Sequence, residues 1–245
     1  LTTGGIDGGF IDLGGARVVP LAGPVAVRVL RERAVRDAAI AAAIDAAWER
    51  LVARNPRYFN GAILSFEGYD AERGVITARV EEYKAHAVRL TVDSGIDFLG
   101  VTAILRAPGT DGVARFMLGR RGERVHDYPG QWEFGPCGGV DPPGGDGLSP
   151  EDINREAARE AAEEAGVSLA DARVRHLALV HDGPAIGSTD LMVLVDFVEM
   201  PQTTTGWEYG AVRWVTMEEL VAWCLRSPGE VIPTTRAVVA WMSGR

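Results

Sequence analysis

The chain has 245 residues, 47% of them hydrophobic and 24% charged, the profile of a folded globular protein rather than a disordered one. Its 25 lysines and arginines against 34 aspartates and glutamates leave a net charge of −9, which argues against nucleic acid as a partner because phosphate backbones are held by basic side chains. No apolar run reaches the ~20 residues of a membrane span, the opening "LTTGGIDGGF" has no basic stretch leading into an apolar one, and Cys137 and Cys224 fall in no metal or disulfide spacing, so a cytoplasmic protein without membrane contact is expected.

Residues 1–15 are glycine-rich and read as a loose arm, followed by strand material broken by prolines over 16–30. Helical spacing runs from Val35 to Arg54 and ends at "NPRYFNG", where Pro56 and Gly61 interrupt it. Strands are expected at 62–66 and 75–83, joined by the turn-like "EGYDAERG". A second segment starts near Gly95, with a strand pair at 98–107 and 114–121 and then "GQWEFGPCGGV" and the Pro/Gly loop "DPPGGDGLSP". A helix over 151–165 comes next, then strands at 173–183, 190–200 and 212–216 and a closing helix at 217–227. Alternating strands and helices predict an α/β layered domain over 96–245, preceded by a smaller α+β segment over 1–95.

The helix "REAAREAAEEAGV" (155–167) carries the chemistry. Residues three and four apart share a helix face, so Glu160, Glu163 and Glu164 crowd their carboxylates together. Such a cluster needs positive charge among it, either Arg159 or a divalent cation, and magnesium favours hard oxygen ligands. Solvated i,i+4 pairs such as Arg159–Glu163 are the plain alternative, and the surroundings decide between the two. Glu151 lies eight residues before Arg159, Gly145 six before that, and Gly166 and Val167 follow the paired acids.

The pattern G-x5-E-x7-R-E-U-x-E-E-x-G-U, with U aliphatic, resembles the Nudix box of the Nudix hydrolases; Ala161 stands where a larger aliphatic is usual. Two stretches offer the box glycine. Gly145 has the strict spacing, whereas Gly139 ends a convincing strand and turns the following loop into an insertion. We favour Gly139, because a carbonyl donated to a metal belongs on a strand end held by the sheet, and Glu151 then matches by count alone.

The resemblance continues into "WEYGAVRWVTMEEL", where Glu208 stands six residues before Trp214. It covers about 96–245 and implies an α/β/α sandwich with a mixed sheet. It further implies Mg2+ or Mn2+ bound by Gly139, Glu160, Glu163, Glu164 and Glu208, with Arg159 orienting Glu160 or Glu163 and one glutamate taking a proton from water. Arg120, Arg121 and Trp132 are the candidate substrate-binding residues, since guanidinium suits phosphate and Trp132 offers a stacking plane. His126 and His181 flank loops and are expected at the surface.

The implied reaction is metal-dependent hydrolysis of the pyrophosphate bond in a nucleoside diphosphate linked to another moiety. Residues 48–61 followed by "EEYKAH" resemble the preamble of Nudix enzymes acting on nucleotide sugars. Two alternatives share the fold. One is an isopentenyl-diphosphate-type isomerase using Cys137, five residues after Trp132; the other is a non-catalytic nucleotide-sensing module. Residues 16–95 are expected to pack on the Nudix domain, or on a second subunit of a homodimer, and to shape the pocket for the small-molecule substrate.

Overall fold

The computed structural model describes residues 11–13, 15–182 and 186–244. Most of the expected arm lies outside these residues; within them β1 (Ile11–Leu13) pairs with β2 (Ala16–Pro20). After β3 (Ala26–Leu30), helix α1 (Ala38–Arg54) starts three residues later than its spacing predicts, because Asp37 caps it by accepting from the Ala39 N–H at 2.7 Å. β4 (Ala62–Asp70) runs past its expected end, since residues 68–70 stay paired to β5 (Val75–Glu82) beyond a register shift between Phe66 and Gly68. The short α2 (Tyr83–Ala87) follows directly.

β6 (Phe98–Pro108) and β7 (Ala114–Arg121) form the expected pair. Next come β8 (Trp132–Phe134), β9 (Cys137–Gly139), the two-residue β10 (Gly147–Leu148) and α3 (Pro150–Ala165). β11 (Arg173–His181), β12 (Ser188–Asp196) and β13 (Tyr209–Thr216) precede α4 (Met217–Arg226) and α5 (Pro233–Met242). α5 lies beyond the last helix expected from the sequence, and Pro233 opens it at a position where a missing N–H is harmless.

The strands form one mixed sheet in the order β1-β2-β11-β12-β6-β4-β5-β3-β10. β6 and β12 run parallel from Phe98↔Ser188 to Arg106↔Asp196, while β13, β7 and β8 form a branch off β6. The residues before 95 thus join the sheet on both sides, through β2 on β11 and through Ser65↔Phe98. The inserted loop before α3 is anchored too: β10 pairs with β3, and Arg31 donates to the carbonyls of Pro143 and Gly145.

Two cores sandwich the sheet. Ile153, Ala157, Ala161 and Ala165 of α3 pack with Val101, Ala103, Leu105, Val193 and Val195 on one face. Leu220 of α4 and Val238 of α5 meet Ile104, Leu118, Val180 and Leu194 on the other. Consecutive residues of one strand face opposite layers, the period-two alternation of a sheet covered on both sides. This is an α/β/α arrangement around a mixed sheet. Among the described residues, no helix is long and apolar enough to cross a membrane.

Candidate active site

Helix α3 is fixed at both ends. Ser149 accepts from the Asp152 N–H at 3.2 Å while Asp152 accepts from the Ser149 N–H at 2.7 Å, a reciprocal capping box. At the other end Gly166 adopts φ 66°, the left-handed conformation that releases the chain from a helix, and a Cβ there would collide with the Thr204 side chain. The alanines at 157, 161 and 165 are fully buried, so the helix lies close to the sheet and the glutamates one face round are set at its edge. That explains Ala161, which stands where a larger side chain is usual.

Arg159 lies among four carboxylates. Its Nη2 is 2.8 Å from Glu160, 2.9 Å from Glu156 and 3.8 Å from Asp141, and Nη1 is 3.2 Å from Glu163. Glu163 remains exposed, whereas Glu160 and Glu164 are buried against β9. Glu164 accepts from the Cys137 N–H at 2.9 Å and shares a hydrogen bond with Glu208, which stands just before β13. Glu160 abuts Gly138, where any side chain would overlap its carboxylate. Burial pushes the Glu160 carboxyl up to about 7 against the pull of Arg159, with Glu163 and Glu208 adding to the rise. Burial and the Glu208 contact likewise raise Glu164, and the Cys137 N–H opposes them.

The structure therefore brings Arg159, Glu160, Glu163, Glu164 and Glu208 together. The donors are all carboxylate oxygens, suited to a hard divalent cation, although among the described residues no three His, Cys, Asp or Glu side chains already stand in ligating geometry. Gly139 ends β9 paired to Gly100 and faces Phe98, while Gly145 lies in the inserted loop with open space around it. Gly138, the residue that faces a box glutamate, escaped notice in the sequence; the Gly-Gly pair was the available signal. Glu151 is exposed in the first turn of α3.

A cleft of about 1380 Å³ opens beside Glu164 and Glu208. Arg121 lines it, with Nη1 2.6 Å from the buried Glu133 and Nε 2.8 Å from the Asp127 carbonyl. Glu133 also accepts from Tyr209 Oη at 3.0 Å and from the Cys137 thiol at 3.4 Å. Glu133 was missed, yet a charged residue inside the apolar "WEF" marks a buried polar partner. Asp190, on β12, lines the cleft as well, and burial raises its carboxyl to about 7.

Arg120 and Trp132 require correction as substrate-binding residues. They are register partners on β7 and β8, so strand alternation turns both away from the face that carries Arg121 and Glu133. Trp132 is buried in the second core beside Trp223, with Arg213 over its ring at 5.0 Å, and Arg120 bonds Gly130 and Glu123. His181, expected at the surface, is half-buried and lies 3.3 Å from Asp97. Cys137 does not look like a nucleophile: burial and the nearby Glu133 and Glu164 push its thiol up, away from the thiolate.

The residues before 95 supply part of the cleft wall. Tyr58, Tyr83 and His86 line it together with Phe98, on which the His86 ring stacks at 4.7 Å. Burial, with Arg89 and His126 nearby, lowers His86 to about 3 and keeps it neutral.

Comparison with solved structures finds distant likenesses. A Nudix hydrolase from M. smegmatis, RenU, is 21% identical over 61% of this chain and 84% of its own, with a TM-score of 0.43. A C. elegans Ap4A hydrolase is 16% identical over 60% and 99%, with a TM-score of 0.43. The Nudix domain of Shewanella oneidensis NrtR, complexed with ADP ribose, is 12% identical over 61% and 89%, with a TM-score of 0.40. No curated protein matches the chain. The NUDIX domain model matches residues 98–241, which is more than half of the chain and contains α3 with all its glutamates. The chain belongs to the Nudix hydrolase family.

Proposed function

We propose that the protein hydrolyses the pyrophosphate bond of a nucleoside diphosphate linked to another moiety, such as a sugar, with a divalent cation held by Glu160, Glu163, Glu164 and Glu208. The observation that carries this reading is the convergence of Glu160, Glu164 and Glu208, the last two lining a large cleft and Glu160 held by Arg159. Burial and mutual proximity make these carboxyls hold protons more tightly than exposed ones, and a bound cation would displace those protons. When bound, the cation neutralises diphosphate oxygens and acidifies a water.

The chain's own residues do the rest. Arg159 holds Glu160 and Glu163 in place, and the Cys137 N–H and Glu208 orient Glu164. One of these carboxylates takes the proton of the attacking water, within reach of a diphosphate lying in the cleft. The Gly-Gly strand end on β9 offers backbone carbonyls at the same edge, Gly139 being the candidate ligand and Gly138 the residue that admits Glu160. Residues 16–95 act as the specificity element.

The test is a panel of dinucleotides, nucleotide sugars and nucleoside triphosphates with Mg2+ or Mn2+, scored for released phosphate species. Cleavage at the pyrophosphate bond that EDTA abolishes is the expected result. Glu163→Gln and Glu164→Gln should each lower kcat by about two orders of magnitude or more, since an amide binds a hard cation poorly. Near-normal turnover in both variants, or turnover in EDTA, would overturn the metal assignment.

A further inference from the structure

Three arginines that line the cleft are exposed and form no ion pair. Arg54 ends α1, Arg57 follows it, and Arg124 lies in the loop between β7 and β8. Among the described residues, the side chains of these three enter no hydrogen bond or ion pair, unlike the other cleft arginine, Arg121, which Glu133 engages at 2.6 Å. The acids nearest in the loop are already taken: Glu123 pairs with Arg120 at 3.3 Å and Asp127 with Arg89 at 2.7 Å.

One contact joins the two segments. Tyr58 Oη and His126 Nδ1 are 2.9 Å apart, with the rings edge to face at 6.0 Å and 90°. It brings Arg57, one residue from Tyr58, towards Arg124, two residues from His126. Arg54, Arg57 and Arg124 are exposed, so in water they repel one another only weakly, yet they concentrate positive charge on one cleft of a chain of net charge −9. Guanidinium groups offer a planar fork of donors that fits phosphate and carboxylate oxygens.

We propose that Arg54, Arg57 and Arg124 form a second anion site in the cleft, which holds a phosphate or carboxylate that the substrate carries outside the bond to be cleaved. The assignment of that anion to the substrate rests on the hydrolytic reading above; the site itself does not. A cleft lined both by box carboxylates and by unpaired guanidiniums gives an extended, doubly anionic molecule two points of attachment.

Two measurements on the full chain separate these points. In EDTA, calorimetric titration with inorganic tripolyphosphate should show binding that weakens by about tenfold or more in the Arg57→Gln/Arg124→Gln double variant. The double variant Arg173→Gln/Arg226→Gln removes the same charge from exposed positions elsewhere and should change affinity by less than about twofold. No binding by the unmodified chain, no loss in the first variant, or an equal loss in the second overturns the site. With Mg2+, turnover is then compared within two matched pairs, NAD+ with NADP+ and UDP-glucose with UDP-glucuronate. The first pair reports a phosphate and the second a carboxylate.

The charged member of a cleaved pair should have a KM about tenfold lower, with kcat within about threefold, and Arg57→Gln/Arg124→Gln should erase the difference. Equal KM values within every cleaved pair overturn the substrate assignment. Tripolyphosphate binding at the arginines with no cleavage of any nucleotide supports the anion site and overturns the hydrolytic reading instead.

Discussion

Glu160 and Glu164 keep protons that exposed glutamates lose well below neutral pH, and their burial against β9 is the main cause. The sign of the consequence follows from linkage. A carboxyl whose folded pKa lies above its unfolded value binds more protons in the folded chain, so it favours folding most below the ordinary value of 4.5, and that contribution disappears as pH rises through about 7. Metal-free protein should therefore melt several degrees lower at about pH 8 than at about pH 5, and Glu160→Gln should flatten the profile. Added Mg2+ should raise the melting temperature more at the higher pH, where the carboxylates are free to bind it. A flat profile for the metal-free chain, measured by calorimetry, would contradict the burial argument. Glu151 provides the contrast on the same helix. It matches the box spacing yet stands exposed in the first turn of α3, so Glu151→Gln should keep turnover within about threefold while Glu163→Gln loses far more. An equally deep loss would restore the strict spacing from Gly145.

Helix α3 was legible in the sequence because its signals are local. Ser149 and Pro150 open it, the acids repeat at helical spacing, and Gly166 closes it. The closure can be tested. Gly166→Ala forces a Cβ into φ 66° and onto Thr204, and should cost about 1–2 kcal/mol in urea unfolding. Ala161→Leu, at a position with no exposure, should cost about 1–3 kcal/mol by overpacking the helix against the sheet. No measurable loss in either variant would mean that α3 is less tightly held than the packing implies. Strand facing was not legible. Whether Trp132 or Glu133 points into the cleft depends on the register of β8 against β7, and a one-residue slip exchanges them. The chemistry of tryptophan suggested a stacking plane, and pairing turned that side chain into the core instead. The unpartnered Arg54 and Arg57 were equally invisible, because what distinguishes them is the absence of an acid brought near by the fold.

At the scale of the whole molecule, the strands before residue 95 could be recognised individually, but their placement could not. β2 lies on β11 at a separation of about 160 residues, and β3 pairs with both β5 and the inserted β10; neither neighbour follows from local spacing. These strands close the core that α3 covers. Val19, Val25, Val27, Val29, Leu64, Phe66 and Ile76 are all less than 10% exposed within that same cluster. At roughly 1.5–3 kcal/mol for each such side chain, their removal costs as much as, or more than, the roughly 5–15 kcal/mol that holds an ordinary domain together. A chain beginning at Ile96 should therefore show no cooperative thermal transition and should bind a hydrophobic dye, although it retains every residue of the Nudix box. In the full chain, Leu64→Ala should lower stability by about 2–5 kcal/mol while leaving the melt cooperative. Should the shortened chain melt cooperatively, the first 95 residues would be an appendage to a self-sufficient domain. The Leu64→Ala loss would then have to be read as local to the strands before residue 95, with α1 and its arginines free to move independently of the Nudix domain.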